Sequence, residues 1–342
     1  MTDTITPMKP FFLTDHLDRA KWSAFVSNHP KGTIFQTPEM FAVLDAAKYN
    51  QPGLVAAVNS DGTPVGLLVY TIQKESGGLF GPLSARSIVR GGPLALNDDK
   101  EIIQALIDLY NKQIRSKAVY TQYRNFWDQK EDIELFKQNG CIYEEHLNIL
   151  IDLGKTEDEL WKDVYSKRRN EIRRARKEGT TARELTTHDE LETSYNILHH
   201  VYTRAKLPLH HKTMFDAAAE ILLPKGMIRF FGAINNNEII GTIVVLCYKQ
   251  RIFDWYAGSS SQHYNKYPND LLPWEVFLWG KKKGYTLFDF GGAGKPGVPY
   301  GVRDYKKKFG GTFVNFGRYE KIHKPLLMKA ASTGFKLWQK IR

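Results

Sequence analysis

Cysteine is scarce: Cys141 and Cys247 are the only two in 342 residues. A pair so widely separated supports neither a disulfide framework nor a thiolate zinc cluster, and it suits a reducing compartment. Long apolar runs are missing too. No stretch approaches the roughly 18 residues that a membrane-spanning helix needs. The opening residues, MTDTITPMKPFFL, lack the basic flank and apolar core of a secretory signal. The expectation is a cytoplasmic protein, with its charge leaving open a peripheral contact at the inner face of the membrane. Acidic residues are in the minority, 37 against 48 lysines and arginines, for a formal net charge of +11. That excess points to phosphate-bearing partners, whether nucleic acid, nucleotide-linked substrate or anionic lipid, without choosing among them.

Apolar and aromatic residues, by contrast, are plentiful enough for real cores, so disorder is excluded. The length favours two domains. Two hairpin signals support that division. LVAAVNSDGTPVGLLVYTIQ (54–73) turns at Ser60-Asp61-Gly62-Thr63, and IRFFGAINNNEIIGTIVVLCYK (228–249) turns at Asn235-Asn236-Asn237. Ala57-Val58-Asn59 aligns with Ala233-Ile234-Asn235, and Val65-Gly66 with Ile240-Gly241, about 175 positions apart. That offset is too long for a solenoid repeat and suggests a duplicated domain. After each hairpin comes a predicted helix and then a strand: 98–116 and 118–124 in the first half, 271–283 and 286–290 in the second. The expected class is α+β (mixed α/β), with helices layered on two sheets.

The predicted boundary falls near Leu150–Glu159, giving domains 1–152 and 153–322. Thr156 and Glu159 have the spacing of a capping box for a helix starting there. The same helix is expected to carry SKRRNEIRRARKEG (166–179), in which Lys167, Arg168, Arg169, Arg173, Arg174, Arg176 and Lys177 are opposed by Glu171. Trp161, Val164, Ile172 and Ala175 would form its apolar stripe and leave a positive ridge. A solvated helix face is the bland alternative. Seven like charges within three turns repel unless an anion binds, which favours a site for RNA or phosphate.

Near the carboxyl end stands FDFGGAGKPGVPYGVRDYKKKFGG (288–311). A short apolar run leads into Gly291, Gly292 and Gly294, the mark of a strand ending in a closely approached loop. Tyr305 and Phe309 flank Lys306, Lys307 and Lys308. Rings of that kind would dock the segment and aim an ammonium at an anion, or at charge developing on oxygen. A surface lysine run beside a glycine turn is the competing reading.

Together these elements resemble the Fem-type (FemABX) family of peptidoglycan interpeptide-bridge aminoacyltransferases. The resemblance is carried by ILIDL, WKDVYSKRRNEIRRARKEG, HHVYTRA, WYAGSSSQHYNKYPNDLLPWEVFLWGKKKGY, FDFGG and YKKKFGG in that order, and by IFQTPEMFAVL and RGGPL in the first half. It implies two tandem acetyltransferase-like (GNAT-like) domains, without the helical arm that longer members insert. In the arm-less type the C-terminal helix packs back on the first domain, a role open to residues 323–342. It further implies aminoacyl-tRNA as co-substrate, no separate cofactor, and transfer of the amino acid to a nucleotide- or lipid-linked muropeptide.

The same resemblance assigns roles. Lys306 corresponds to the family's lysine near the reacting carbonyl, with Tyr305 where a phenylalanine is usual. Arg204 matches an arginine on the acceptor's phosphates, and Tyr256 a substrate-contacting tyrosine. Asp289 is expected to cap the glycine turn. The family's phosphate-contacting lysine after Gln36 has no counterpart, since Phe41, Leu44 and Asp45 stand there. RGGPL has an extra glycine. Arg86 and Arg90 are the replacements on offer.

Other signals carry less. Gly292-x-Gly294-x-x-Gly297 spells a dinucleotide fingerprint, but Pro296 and Pro299 occupy the start of its helix. His199-His200 and His210-His211 have no ligand-spaced partners, so no metal is expected. Ser259-Ser260-Ser261 lacks a nucleophile's strand–turn–helix setting. An N-acyltransferase of the same fold, using acyl-CoA on an exopolysaccharide or sugar precursor, remains the alternative. Neither half shows the glycine loop that cradles the CoA pyrophosphate. A non-catalytic RNA-binding protein would use the basic helix alone.

Overall fold

Both predicted hairpins form, and they break register at the same place. In the computed structural model, which describes residues 11–74 and 85–328, strands β1 (Phe12–Thr14), β2 (Asn50–Val58) and β3 (Pro64–Gln73) open the first unit. Pairing of β2 with β3 runs to Ala57↔Gly66 and then slips to Val58↔Pro64. In the second unit, β10 (Ile228–Asn235) and β11 (Glu238–Tyr248) pair to Ala233↔Gly241 and slip to Ile234↔Ile239. These are the residues the sequences align. A shared bulge re-aims the strand end in the same way in both halves, as a duplicated hairpin would.

The first unit comprises the chain through Glu144 and returns from Gly317. It adds β4 (Arg86–Arg90), β5 (Leu94–Ala95), β6 (Tyr120–Arg124), β7 (Ile142–Glu144) and β15 (Arg318–Ile322), in the order β1-β2-β3-β4-β6-β15-β7 with β5 beside β3. The helix Lys100–Ile114 starts where Asp99 accepts from the backbone of Glu101 and Ile102. Its Ile103, Leu106, Ile107 and Tyr110 bury one face on the sheet. The Tyr110 hydroxyl donates to Ser87 (2.7 Å), which satisfies it inside the core.

The second unit spans Glu145–Phe316. Its sheet runs β14-β8-β13-β12-β11-β10-β9, using β8 (Leu147–Asp152), β9 (Thr181–Glu184), β12 (Arg251–Ser259), β13 (Leu287–Gly292) and β14 (Thr312–Asn315). The helix Pro268–Lys282 crosses from β12 to its parallel neighbour β13. Trp274 and Phe277 bury its inner side against Phe288, Phe290 and Phe309. Each such ring contributes about 2 kcal/mol.

Three expectations change. The strand β8, placed by sequence at the end of domain 1–152, pairs with β13 and β14 in the second sheet. The strand β15, placed in domain 153–322, pairs with β6 and β7 in the first. Composition marks where a helix starts, whereas sheet membership depends on hydrogen bonds to distant strands. The basic segment is a separate helix. Glu157–Asp163 has the predicted capping box, but Val164 turns extended (ψ 130°) before Ser166–Lys177 begins. Tyr165 N donates there to Lys308 O at 2.9 Å, a tertiary bond that no helical period foretells. Of the C-terminal helix expected over 323–342, residues beyond 328 lie outside the described ones, so its packing is not described.

Candidate active site

The two parallel strand pairs found among the described residues differ in one respect. β4 and β6 stay in register for five pairs, Arg86↔Tyr120 to Arg90↔Arg124. β12 and β13 pair only at Arg251↔Leu287, Ile252↔Phe288 and Phe253↔Asp289. Beyond that point they part. On the other side of β12, Val244 faces Tyr256 but Val245 faces Asp254, so Trp255 is an extra residue that bends the strand. β13 turns at Gly291, where φ is 69° and a Cβ would stand only 3.2 Å from the Phe253 ring, so glycine alone fits without strain. A fork between strands follows, with peptide groups on both prongs unpaired to each other.

Lys306 closes the fork. It ends the short helix Gly301–Lys306, and its Nζ donates to the carbonyls of Phe290 and Gly292, the latter at 3.2 Å. Loss of hydration holds this ammonium below the usual lysine range, while Asp254 and Asp289 pull it back up. Asp254 is the first residue on β12 past the last parallel pair. Burial pushes its carboxyl up to about 6, against the pull of Lys306. Asp289 is fully buried. Its Oδ1 accepts from Gly291 N (2.7 Å) and from Asn148 Nδ2 (3.3 Å), which is the turn-capping role expected from sequence. Burial raises its pKa as well.

The flanking rings anchor this segment. The Tyr305 hydroxyl donates to Asn269 O at 2.5 Å, and its ring meets Phe309 edge-on at 5.4 Å. Tyr305 thereby packs against the segment with its hydroxyl occupied. Tyr256 packs among Trp255, Phe215 and Tyr202, with ring centres 5.0–5.6 Å away. Burial raises the Tyr202 phenol, and Tyr256, Asp254 and Tyr300 add to the effect. Tyr202 and Arg204 belong to the helix His188–Arg204. Arg204 is exposed, stacks 5.6 Å over Tyr264 and donates to its hydroxyl. Arg90 lies in the other unit, on β4, 4.9 Å over the Phe35 ring.

The basic helix divides by environment. Arg168 is turned inward, 5 % exposed, paired with Asp270 and with Glu171 (3.4 Å), and sandwiched against Tyr305 and Phe309 (4.8 and 4.7 Å). It supports the Lys306 segment and is not part of a surface ridge. Arg169 donates to the carbonyls of Trp161, Lys162 and Val164 at the end of the preceding helix. Arg176 pairs with Glu275 at 2.8 Å, and Arg174 donates to the Tyr267 hydroxyl. Arg173 lies over Trp161 at 5.2 Å. Lys167 and Lys177 are exposed. Among the described residues, no group of three or more histidine, cysteine or acidic side chains could hold a metal, and no helix is long and apolar enough to cross a membrane.

Residues 166–307, which contain the fork, match the acetyltransferase (GNAT) domain family. The crystal structure of FemX superposes with a TM-score of 0.72 at 16% identity, over 93% of this chain and 99% of that one. The structure of L-PGS from Bacillus licheniformis gives 0.57 at 17% identity, over 91% and 93%. A tandem GNAT protein from the clavulanic acid biosynthesis pathway gives 0.56 at 11% identity, over 92% and 98%. The chain has a tandem GNAT fold, the fold it shares with FemX. No curated protein sequence matches the chain. Within this fold, the fork belongs to the second GNAT-like unit alone.

Sequence reasoning passed over Asp254 and Tyr202. A signal for the first was present: Asp254 is the one acid in the apolar run IFDWYA, and a charge inside a buried strand needs a reason. Nothing local marked Tyr202, which reaches the fork only through the packing of its helix on β11 and β12.

Proposed function

We propose that the chain is an aminoacyltransferase that moves an amino acid from aminoacyl-tRNA to the amino group of a nucleotide- or lipid-linked muropeptide. One observation carries this reading: a desolvated ammonium and a carboxyl raised by burial share the fork between β12 and β13. The acceptor amine attacks the ester carbonyl, forming the C–N bond and putting negative charge on oxygen. Lys306 is positioned to stabilise that oxyanion. Asp254, with its carboxyl near 6 and mostly ionised at neutral pH, takes the proton from the attacking amine. The ester C–O bond breaks, and the tRNA ribose oxygen leaves as a hydroxyl with that proton. The likeness to FemX and to L-PGS supports an acyl-transfer reading of the fold. Lys167, Arg173, Arg174 and Lys177, the basic-helix residues outside its salt bridges and its inward turn, are the candidates for tRNA phosphates.

The acceptor amino group gains one residue when the protein is mixed with charged tRNAs and nucleotide- or lipid-linked muropeptides, read by mass spectrometry. No added mass on any acceptor with any charged tRNA refutes the proposal. Acyl-CoA transfer to a sugar precursor is the second reading, favoured by the GNAT domain match and by the neighbour whose structure is described without AcCoA. Tight stoichiometric acetyl-CoA binding by calorimetry, with acetyl transfer, would replace the first reading by this one. Reversing Lys167, Arg173 and Lys177 to glutamate should weaken tRNA binding and flatten its salt dependence by about one counterion per residue.

A further inference from the structure

Asp254 and Tyr256 stand two positions apart on β12, a spacing that puts both side chains on one face of a regular strand. The extra residue Trp255 reverses this. Tyr256 pairs with Val244 and Asp254 with Val245, neighbours on β11 whose side chains point to opposite faces. The helix His188–Arg204 covers the face of Val244. There the hydroxyls of Thr242 and Ser194 lie 2.6 Å apart, and a Cβ at Gly258 would stand 3.1 Å from Val201. The helix Pro268–Lys282 covers the face of Val245, where its Gly280 lies against Ile252. Asp254 therefore joins the face that carries Phe309 and the Lys306 segment, and Tyr256 joins the opposite one.

Tyr202 lies on the Val244 face, its ring centre 5.6 Å from that of Tyr256. Along the paired part of β12 and β13 the sheet separates the two faces. Past Phe253↔Asp289 the ladder is open, and there Asp254 acts on the Tyr202 phenol from the other side. The Tyr202 hydroxyl makes no hydrogen bond among the described residues, whereas those of Tyr110, Tyr305 and Tyr319 are all bonded. A half-buried phenol usually finds a partner, so this one is open to a substrate at the fork. The cationic groups divide by face as well. Arg168 and Arg176 tie the basic helix to Asp270 and Glu275 of the helix Pro268–Lys282, on the side of Asp254. Arg204 ends the helix that carries Tyr202.

We infer that the Tyr202 hydroxyl relays the proton of the attacking amine through the fork to Asp254. This rests on the transferase reading above, with the charged tRNA on the Asp254 face and the acceptor on the Tyr202 face. As the C–N bond forms, the phenol oxygen takes a proton from the nitrogen while its own proton passes to the Asp254 carboxylate. One N–H bond and one O–H bond break, two O–H bonds form, and no phenolate accumulates. Asp254 then holds the proton on the side where the ribose oxygen leaves, and gives it up there. Tyr202 is neutral before and after, so the burial that makes its phenol hard to ionise does not oppose the transfer.

Single-turnover transfer from charged tRNA to a nucleotide- or lipid-linked muropeptide tests it in the parent, Y202F, D254N and the double variant. Phenylalanine keeps the ring contact with Tyr256 and removes only the hydroxyl, so the near-ultraviolet spectrum should not change. The Y202F rate should fall about 10²-fold or more at unchanged acceptor affinity. In mixtures of light and heavy water the parent rate should follow the curve of two moving protons, and Y202F a straight line. Adding Y202F to D254N should cost little further, because a single relay is already broken. A Y202F rate within about threefold of the parent, full additivity with D254N, or a loss confined to acceptor affinity overturns the relay and leaves the transferase standing. No transfer by the parent overturns both. Should Y202F not fold, 3-fluorotyrosine at position 202 keeps the hydroxyl and alters its acidity. Rate and isotope effect should then both change, and unchanged values overturn the relay.

Discussion

Replacing Lys306 by methionine keeps most of the side-chain volume and deletes the charge, which separates the two roles this residue has. Its structural role is the pair of bonds to Phe290 O and Gly292 O. Losing them leaves two carbonyls wanting donors, at about 1–3 kcal/mol each where water cannot reach. Against this stands the cost of holding a desolvated ammonium, which the lowered pKa reports. The two effects oppose, so stability should change by no more than about 2 kcal/mol, a few degrees in Tm. The sign also depends on pH. A lysine whose folded pKa is depressed weakens the fold below that pKa and ceases to do so as pH rises through it towards 10.5. The methionine variant should therefore compare best with the parent at neutral pH and lose ground in the alkaline range. Chemistry has no such offset. A lost oxyanion partner costs about 10²–10³ in turnover, so kcat should fall by that much with the far-ultraviolet spectrum unchanged. Activity within tenfold of the parent would refute the assigned role. So would a fall in Tm large enough to account for the lost activity, which would make Lys306 a staple for its loop.

The remaining expectations are more compact. The kcat/KM profile should rise through an apparent pKa near 6 as Asp254 ionises, and Asp254→Asn should abolish that limb while lowering the plateau; an unaltered limb would exclude Asp254 as proton acceptor. Asp254 and Lys306 interact, so the value belongs to the pair. In stability the sign is reversed: a carboxyl raised from 3.8 to about 6 costs folding free energy as pH climbs through that window, and Asp254→Asn should flatten urea midpoints there. Arg168→Met should lose about 3–5 kcal/mol in urea denaturation by stranding Asp270, and adding Asp270→Leu should restore much of it. Gly291→Ala should cost about 1–3 kcal/mol and misplace Asp289, because of its positive φ and the nearby Phe253 ring.

What could be read along the chain was whatever depends on neighbours in sequence. The hairpins, the Thr156–Glu159 capping box, the helix over 100–114 and the glycine turn after Asp289 all rest on local periodicity or local backbone bonds, and they appear where expected. The residues aligned between the two hairpins flank the bulge that both hairpins share. Sheet membership followed a different logic. β8 and β15 each cross to the other unit's sheet, because a strand goes where unpaired backbone awaits it and not where composition changes. Charge was legible as a total but not by address. Seven basic residues in one run look alike in sequence, yet Arg168 alone offsets its burial with Asp270 and two rings. Arg86, Arg90, Arg124 and Arg318, scattered over more than two hundred positions, become one row only when β4, β6 and β15 pair. Likewise the fork of β12 and β13 brings Asp254 to Lys306 across fifty residues of chain. Sequence determined the elements and the residue types available for chemistry. Proximity came from tertiary packing, since electrostatic coupling acts over ångströms in space and is blind to separation along the chain.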